Sequence, residues 1–273
     1  MKVSVIVKGK ELKVEYAELI QENIQETMEV KKLYIVGDKF KSFSKNPNVM
    51  PISLLEESVM FADLTQIQNQ VYMAYIGQGI DFGRVETLRK RIAMKGLDQS
   101  YQLKMAENFK ATHLLTHKYK LENIMISDPE QYSDSGFTSM LMLDDNCAEM
   151  SDHVTGQHLQ GMVLIEAARQ MTLAVTEKFY INPENRGKMS FVTDSLSTEF
   201  KSYLFPLEVE LLYSVNKVRG FEENKRFDTT IQFIQNGKVC TEVKYGFSVF
   251  KPEFVDQKEQ QLAINTINVG LAA

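Results

Sequence analysis

The sequence is poor in cysteine: Cys147 and Cys240 are its only two in 273 residues. That excludes a disulfide framework and a cysteine-rich zinc site, and it points to a reducing, cytoplasmic compartment. A surplus of basic charge is also missing, since 31 Lys and Arg stand against 36 Asp and Glu, for a net charge of -5. Unassisted nucleic-acid binding needs that surplus facing the phosphates, so no nucleic-acid partner is expected. Long apolar runs are absent as well. The most apolar stretch, 59–76, is broken by Asp63, Gln66, Asn69 and Gln70, short of the roughly 20 apolar residues that span a bilayer. Residues 1–15 lack the apolar region of an export signal. A soluble chain with no membrane partner is the expectation. No repeat, low-complexity tract or Pro/Gly/Ser-rich linker breaks the chain.

What remains is ordinary globular composition, 44% apolar and 25% charged, long enough for one large domain or two modest ones. The pattern changes near residue 110. Residues 1–110 carry short β-prone runs at 2–7 and 33–36, helical composition at 16–30, and strong helix formers from 52 to about 109. This predicts a separate, mostly helical N-terminal segment of unknown role. Gly77, Gly79 and Gly83 miss the dinucleotide-binding spacing by one position and follow no predicted strand, so they read as a loop. The basic run Arg84, Arg89, Lys90, Arg91 and Lys95 reads as a solvated helix face or a docking surface for an acidic carrier protein.

Residues 111–252 are patterned differently. Strand-like runs at 121–127 and 137–143 precede an apolar helix over 161–180, and four β-rich runs follow at 190–198, 208–218, 228–235 and 239–250. Asn236–Gly237 is a strong hairpin signal between the last two. The fold class this predicts is α+β, an antiparallel sheet wrapped around one long helix. Residues 253–273 read as a C-terminal tail.

The helix carries a polar stripe. It is apolar around nearly its whole circumference, as an enclosed helix must be, yet Glu166, Arg169 and Gln170 fall on one face at offsets of three and four. Removing such ions from water costs several kcal/mol before pairing recovers some of it. The stripe is therefore either a structural ion pair or the lining of a site. Asp152, His153, Gly156, His158 and Gly161 bunch just ahead of it. Glycines let backbone approach a ligand, a helix start presents unpaired N–H groups for a carbonyl or oxyanion, and His with Glu can serve general acid–base chemistry. His113 and His117 lack a third ligand, and no metal or cofactor is expected.

The run Asp152–Gln170 (DHVTGQHLQGMVLIEAARQ) resembles the signature of the A-factor biosynthesis (AfsA-type) hotdog domain, with flanking similarity at His117–Ser127 and Phe191–Phe200. More distantly, His153, Gly156, Gly161, Glu166 and Gln170 match the pattern of hotdog β-hydroxyacyl-carrier dehydratases, with one residue fewer between the His and the helix. The resemblance implies a hotdog fold for 111–252, a homodimer, and transfer of a β-ketoacyl group from acyl carrier protein or CoA to a small three-carbon acceptor such as dihydroxyacetone phosphate, as in γ-butyrolactone signal synthesis. It implies catalytic roles for Glu166, His153 and Arg169, and substrate contacts for Gly156, His158, Gly161, Asp152 and Gln170. Family members commonly hold two repeats where this chain shows one motif, so residues 1–110 are either an unrelated segment or a degenerate first hotdog. Dehydration or hydrolysis of an acyl thioester, and non-catalytic acyl binding, are the competing readings.

Overall fold

The computed structural model describes residues 2–7, 10–15, 29–62, 70–105, 108–151, 156–221 and 224–272. After an antiparallel hairpin of β1 (Lys2–Val7) and β2 (Lys10–Glu15), the N-terminal part is a four-stranded parallel sheet. Its strands are β3 (Glu29–Val36), β4 (Val49–Pro51), β5 (Gln70–Ile76) and β6 (Tyr101–Lys104), in spatial order β4-β3-β5-β6. Parallel neighbours need crossover connections, and α1 (Ile52–Phe61) and α2 (Phe82–Met94) lie in those that lead into β5 and β6. Leu33, Ile35 and Ala74 point from the sheet into one core with Ile52, Leu55 and Val59 of α1 and Val85, Leu88 and Ile92 of α2. Those helix residues recur at offsets of three and four, the spacing of one buried stripe. The Asp81 carboxylate caps α2 by accepting the Arg84 N–H at 2.9 Å.

This corrects the expectation of a mostly helical segment or a degenerate hotdog. Strands in a parallel sheet read as short, nearly continuous apolar runs without alternation. Gln70–Ile76 is of that kind, Tyr101–Lys104 is too short for its alternation to stand out, and strong helix formers surround both. The Gly77–Gly83 loop therefore does follow a strand, and α2 begins inside it.

The C-terminal part is a six-stranded antiparallel sheet in the order β7-β8-β10-β11-β12-β9. The strands are β7 (Glu130–Gln131), β8 (Gly136–Met140), β9 (Ser190–Phe200), β10 (Glu210–Phe221), β11 (Asn224–Gln235) and β12 (Lys238–Phe250). Two single-turn helices, α3 (His113–Thr116) and α4 (Ala148–Ser151), precede the long α5 (Gly161–Phe179). Val163, Leu164, Ala167, Ala168, Met171, Ala174 and Val175 of α5 are buried in one core with Leu211, Tyr213, Phe227, Ile231, Phe233, Val243 and Phe247 of the sheet. The sheet partners lie two or four apart along each strand, as a face buried by period-two alternation requires. The three alanines let the sheet close tightly over the helix. The Asn236–Gly237 turn joins β11 to β12, with positive φ at both residues.

Two details differ from expectation. Residues 121–127 form a short 3-10 turn, Leu121–Asn123, and then only single bridges, because the Met125 N–H is taken by the Gln170 side chain at 2.9 Å. The C-terminal tail is a helix, α6 (Pro252–Ala272), exposed along most of its length.

Gln78 clips the two parts together. Its amide donates to the carbonyls of Leu141 (2.9 Å) and Leu207 (3.2 Å) and accepts the Leu143 N–H at 2.8 Å. The backbone N–H groups of Gln78 and Gly79 donate to Pro206 and Leu143. Arg84, ion-paired with Asp38 and Glu56 inside the N-terminal part, also reaches Asp145 of the C-terminal part at 3.8 Å. At Gly37 a side chain is impossible, since a Cβ would come within 1.7 Å of the Gly79 carbonyl oxygen.

Candidate functional site

The stripe on α5 forms one ionic network. Glu166 accepts two hydrogen bonds from Arg169, from Nε and Nη2 at 2.8 Å each, and one from Gln170 Nε2 at 3.0 Å. Lys118 Nζ stands 2.9 Å from the same carboxylate and 3.1 Å from Glu149, so it bridges two acids. The Glu166 side chain is only 16% exposed. Burial pushes its pKa up, but the Arg169 guanidinium, followed by Lys118 and Gln170, outweighs burial and holds the carboxyl at about 2. Burial likewise works against charge on Lys118, and Glu166 with Glu149 reverses it. Near neutrality a carboxyl held this low is a poor proton acceptor. In this arrangement its chemistry is that of a fixed negative charge orienting two cations.

Gln170 is fully buried and completely satisfied, since its amide also donates to the Asn123 carbonyl at 2.8 Å. It ties the helix to the segment that enters the sheet.

The start of α5 is a separate feature. Gln160 makes no side-chain capping bond, which leaves first-turn N–H groups without intrahelical partners. Beside them opens a cavity of about 520 Å³, walled by His158, Gly161 and Leu164 on the helix side and by Phe200, Lys201 and Tyr203 opposite. The His158 ring lies 4.7 Å from that of Tyr203. A Cβ on Gly161 would approach the Phe200 ring to 2.8 Å, so glycine keeps this wall close to the helix.

The expected site residues therefore fall into two groups. Glu166, Arg169 and Gln170 are brought together, and so are His158 and Gly161. Five residues of α-helix turn a side chain about 140° past a full revolution, and Glu166 is not part of the cavity wall. Gly156 is exposed with open space around it. Asp152 and His153 lie outside the described residues.

Lys118 and Glu149 were not singled out from sequence. Their distance in the chain from Glu166 hides them, although Lys118 stands in the run that flanks the motif. A second buried acid was missed too: Glu177, fully buried, meets His117 Nε2 at 2.8 Å and accepts the Gly187 N–H at 2.9 Å. Among the described residues no group of three or more His, Cys, Asp or Glu is arranged to hold a metal ion. No helix among them is long and apolar enough to cross a membrane.

A sheet closed over one long helix, with a charged stripe on that helix, defines a hotdog-fold domain, here preceded by a parallel α/β unit. The A-factor biosynthesis hotdog domain matches residues 104–251, and the chain belongs to that family. Solved structures of low overall similarity to the chain include three thioesterases. A mutant thioesterase from Pseudomonas aeruginosa is 13% identical, with 50% of this chain and 88% of that one covered and a TM-score of 0.37. A putative thioesterase from Lactococcus lactis is 14% identical, covering 50% and 99%, with a TM-score of 0.36. A thioesterase from Haemophilus influenzae is 14% identical, covering 50% and 95%, with a TM-score of 0.32. None of the curated proteins matches the chain.

Proposed function

We propose that this protein transfers a β-ketoacyl group from acyl carrier protein or CoA to a hydroxyl of a small three-carbon acceptor of the dihydroxyacetone phosphate type. Family membership supports thioester chemistry, and the cavity at the start of α5 is the observation that carries the reading. The thioester carbonyl oxygen is received by the free N–H groups of the first helical turn, which stabilise the oxyanion as it develops. The apolar wall of Leu159, Leu164 and Leu204 takes the alkyl part. His158 at the mouth accepts the acceptor's proton as its oxygen attacks. A C–O bond forms, the C–S bond breaks, and the proton passes to the departing thiolate. Arg169 and Lys118, held by Glu166, offer the positive charge that an acceptor phosphate needs.

These cations and the cavity face different sides of α5, so a complete site draws on a second copy. The outer strand β9 is the route for pairing: it ends the sheet, and Val192, Leu196 and Phe200 are exposed on it. A homodimer follows as part of the proposal, in the cytoplasm. Hydrolysis is the second reading, favoured by the solvent-open position of His158, with water replacing the acceptor.

The test supplies 3-oxoacyl-CoA and 3-oxoacyl carrier protein with dihydroxyacetone phosphate, and follows thiol release and ester by mass spectrometry. Ester formation lost in His158→Ala is the expected result. Free acid alone selects hydrolysis, and no thiol release above blank with any acceptor overturns both readings.

A further inference from the structure

A second cavity, of about 660 Å³, lies where the parallel sheet meets the hotdog domain. Its floor is a row of side chains at the carboxyl ends of three strands. The register sets Tyr34 of β3 beside Tyr75 of β5, and Tyr75 beside Lys104 of β6. The two tyrosine rings are 5.7 Å apart and tilted by 43°. Arg89 of α2 stands at one wall, and Glu208 and Asn236 of the hotdog domain form the opposite one.

The position is the one open parallel sheets favour for ligands: the crevice beyond the carboxyl ends of the strands, where the chain changes direction across the sheet. That change occurs here, since β4 lies on one side of β3 and β5 on the other. The glycine loop after β5 is not the anion cradle, because its N–H groups are spent on the hotdog carbonyls of Pro206 and Leu143. The remaining chemistry is an aromatic shelf, two cations (Lys104, and Arg89 with one edge ion-paired to Glu86 at 3.2 Å), the Glu208 carboxylate and one carboxamide. Aromatic rings stack on planar bases, Lys and Arg meet phosphate, and a carboxylate at such a crevice accepts from ribose hydroxyls.

We infer that this crevice binds a nucleoside phosphate, either free or as the nucleotide end of a larger molecule such as CoA. The base stacks on Tyr34 and Tyr75, Glu208 receives the ribose, and Lys104 with Arg89 holds the phosphate. The site lies apart from the cavity at the start of α5, and its occupancy does not depend on the transfer reaction.

Isothermal titration of the full chain with AMP, 3′,5′-ADP, adenosine and inorganic phosphate tests it. Both nucleotides are expected to bind at least about tenfold more tightly than adenosine or phosphate alone. Lys104→Ala should weaken both nucleotides about tenfold while leaving adenosine unchanged, and Tyr34→Ala should weaken AMP and adenosine alike. Both side chains are substantially exposed, so the variants should melt with the wild type. Tighter binding of 3′,5′-ADP than of AMP assigns the CoA end; equal binding assigns a free nucleotide. No nucleotide binding at millimolar concentration, phosphate binding as tight as AMP, or AMP affinity unchanged in both variants overturns the inference. The thioester assay with the carrier-protein-linked substrate, which carries no nucleotide, keeps the two proposals apart: with that donor Tyr34→Ala should keep the wild-type rate whichever way the titration falls.

Discussion

Replacing Glu166 with Gln removes a charge that two cations and a buried amide hold in place, and the cost can be worked from the pKa. The carboxyl sits at about 2 where an unperturbed one sits at 4.5. At about 1.4 kcal/mol for each tenfold in proton affinity, that difference contributes on the order of 3 kcal/mol to folding at neutral pH. Arg169 is 34% exposed, and solvent screening on that side brings the figure to about 2 kcal/mol. Because the folded value is depressed, the contribution is complete above the unfolded value and is lost as pH falls through the folded one. Between pH 7 and pH 3.5 it should shrink by roughly 1 kcal/mol. Urea unfolding of wild type and Glu166→Gln at the two pH values reads this directly as a gap that narrows in acid. A gap of the same size at both values, or none at pH 7, would refute the reasoning.

Other outcomes follow from neighbouring contacts. Gln170→Ala strips partners from the Met125 N–H and the Asn123 carbonyl and should cost about 2–3 kcal/mol in urea unfolding. Gln78→Ala breaks the clip between the two parts. Limited proteolysis should then release a hotdog fragment that wild type does not yield at the same protease dose. The Cys147 thiol, pushed up to about 11 by burial and the adjacent Glu149, is only about 0.1% thiolate at pH 8. Its reaction with a disulfide reagent should be slow there and accelerate about tenfold per pH unit. Gly161→Ala forces the Phe200 ring aside and should lower the rate of thioester consumption at least about tenfold with little loss of stability.

The hotdog half was legible because its signals are local. An apolar helix with three alanines facing inward, strands alternating every second residue and an Asn–Gly turn each announce themselves within a short window. The parallel unit was not, because β5 lacks alternation, β6 is only four residues long, and the pairings of β3 with β5 and of β5 with β6 are non-local. The strand expected at 121–127 failed for a related reason: the side chain of Gln170, more than forty residues on, takes the N–H that a ladder would have used. Within the site, the Glu166–Arg169–Gln170 stripe was visible as helical spacing. Lys118 and Glu149 complete it from elsewhere in the chain, and sequence spacing carries no information about such a meeting. The resemblance implies a catalytic role for Glu166; the network holds its carboxyl low, and in the proposed reaction proton transfer therefore falls to His158, beside the open helix start.

The most direct measurement is a crystal structure with a non-hydrolysable acyl-pantetheine in which a methylene replaces the thioester sulfur. The account predicts the ligand's carbonyl oxygen within hydrogen-bonding distance of the Met162 or Val163 N–H, with the His158 ring alongside. A carbonyl lodged elsewhere, with the Gly161–Phe200 cavity unfilled at saturating ligand, would contradict it.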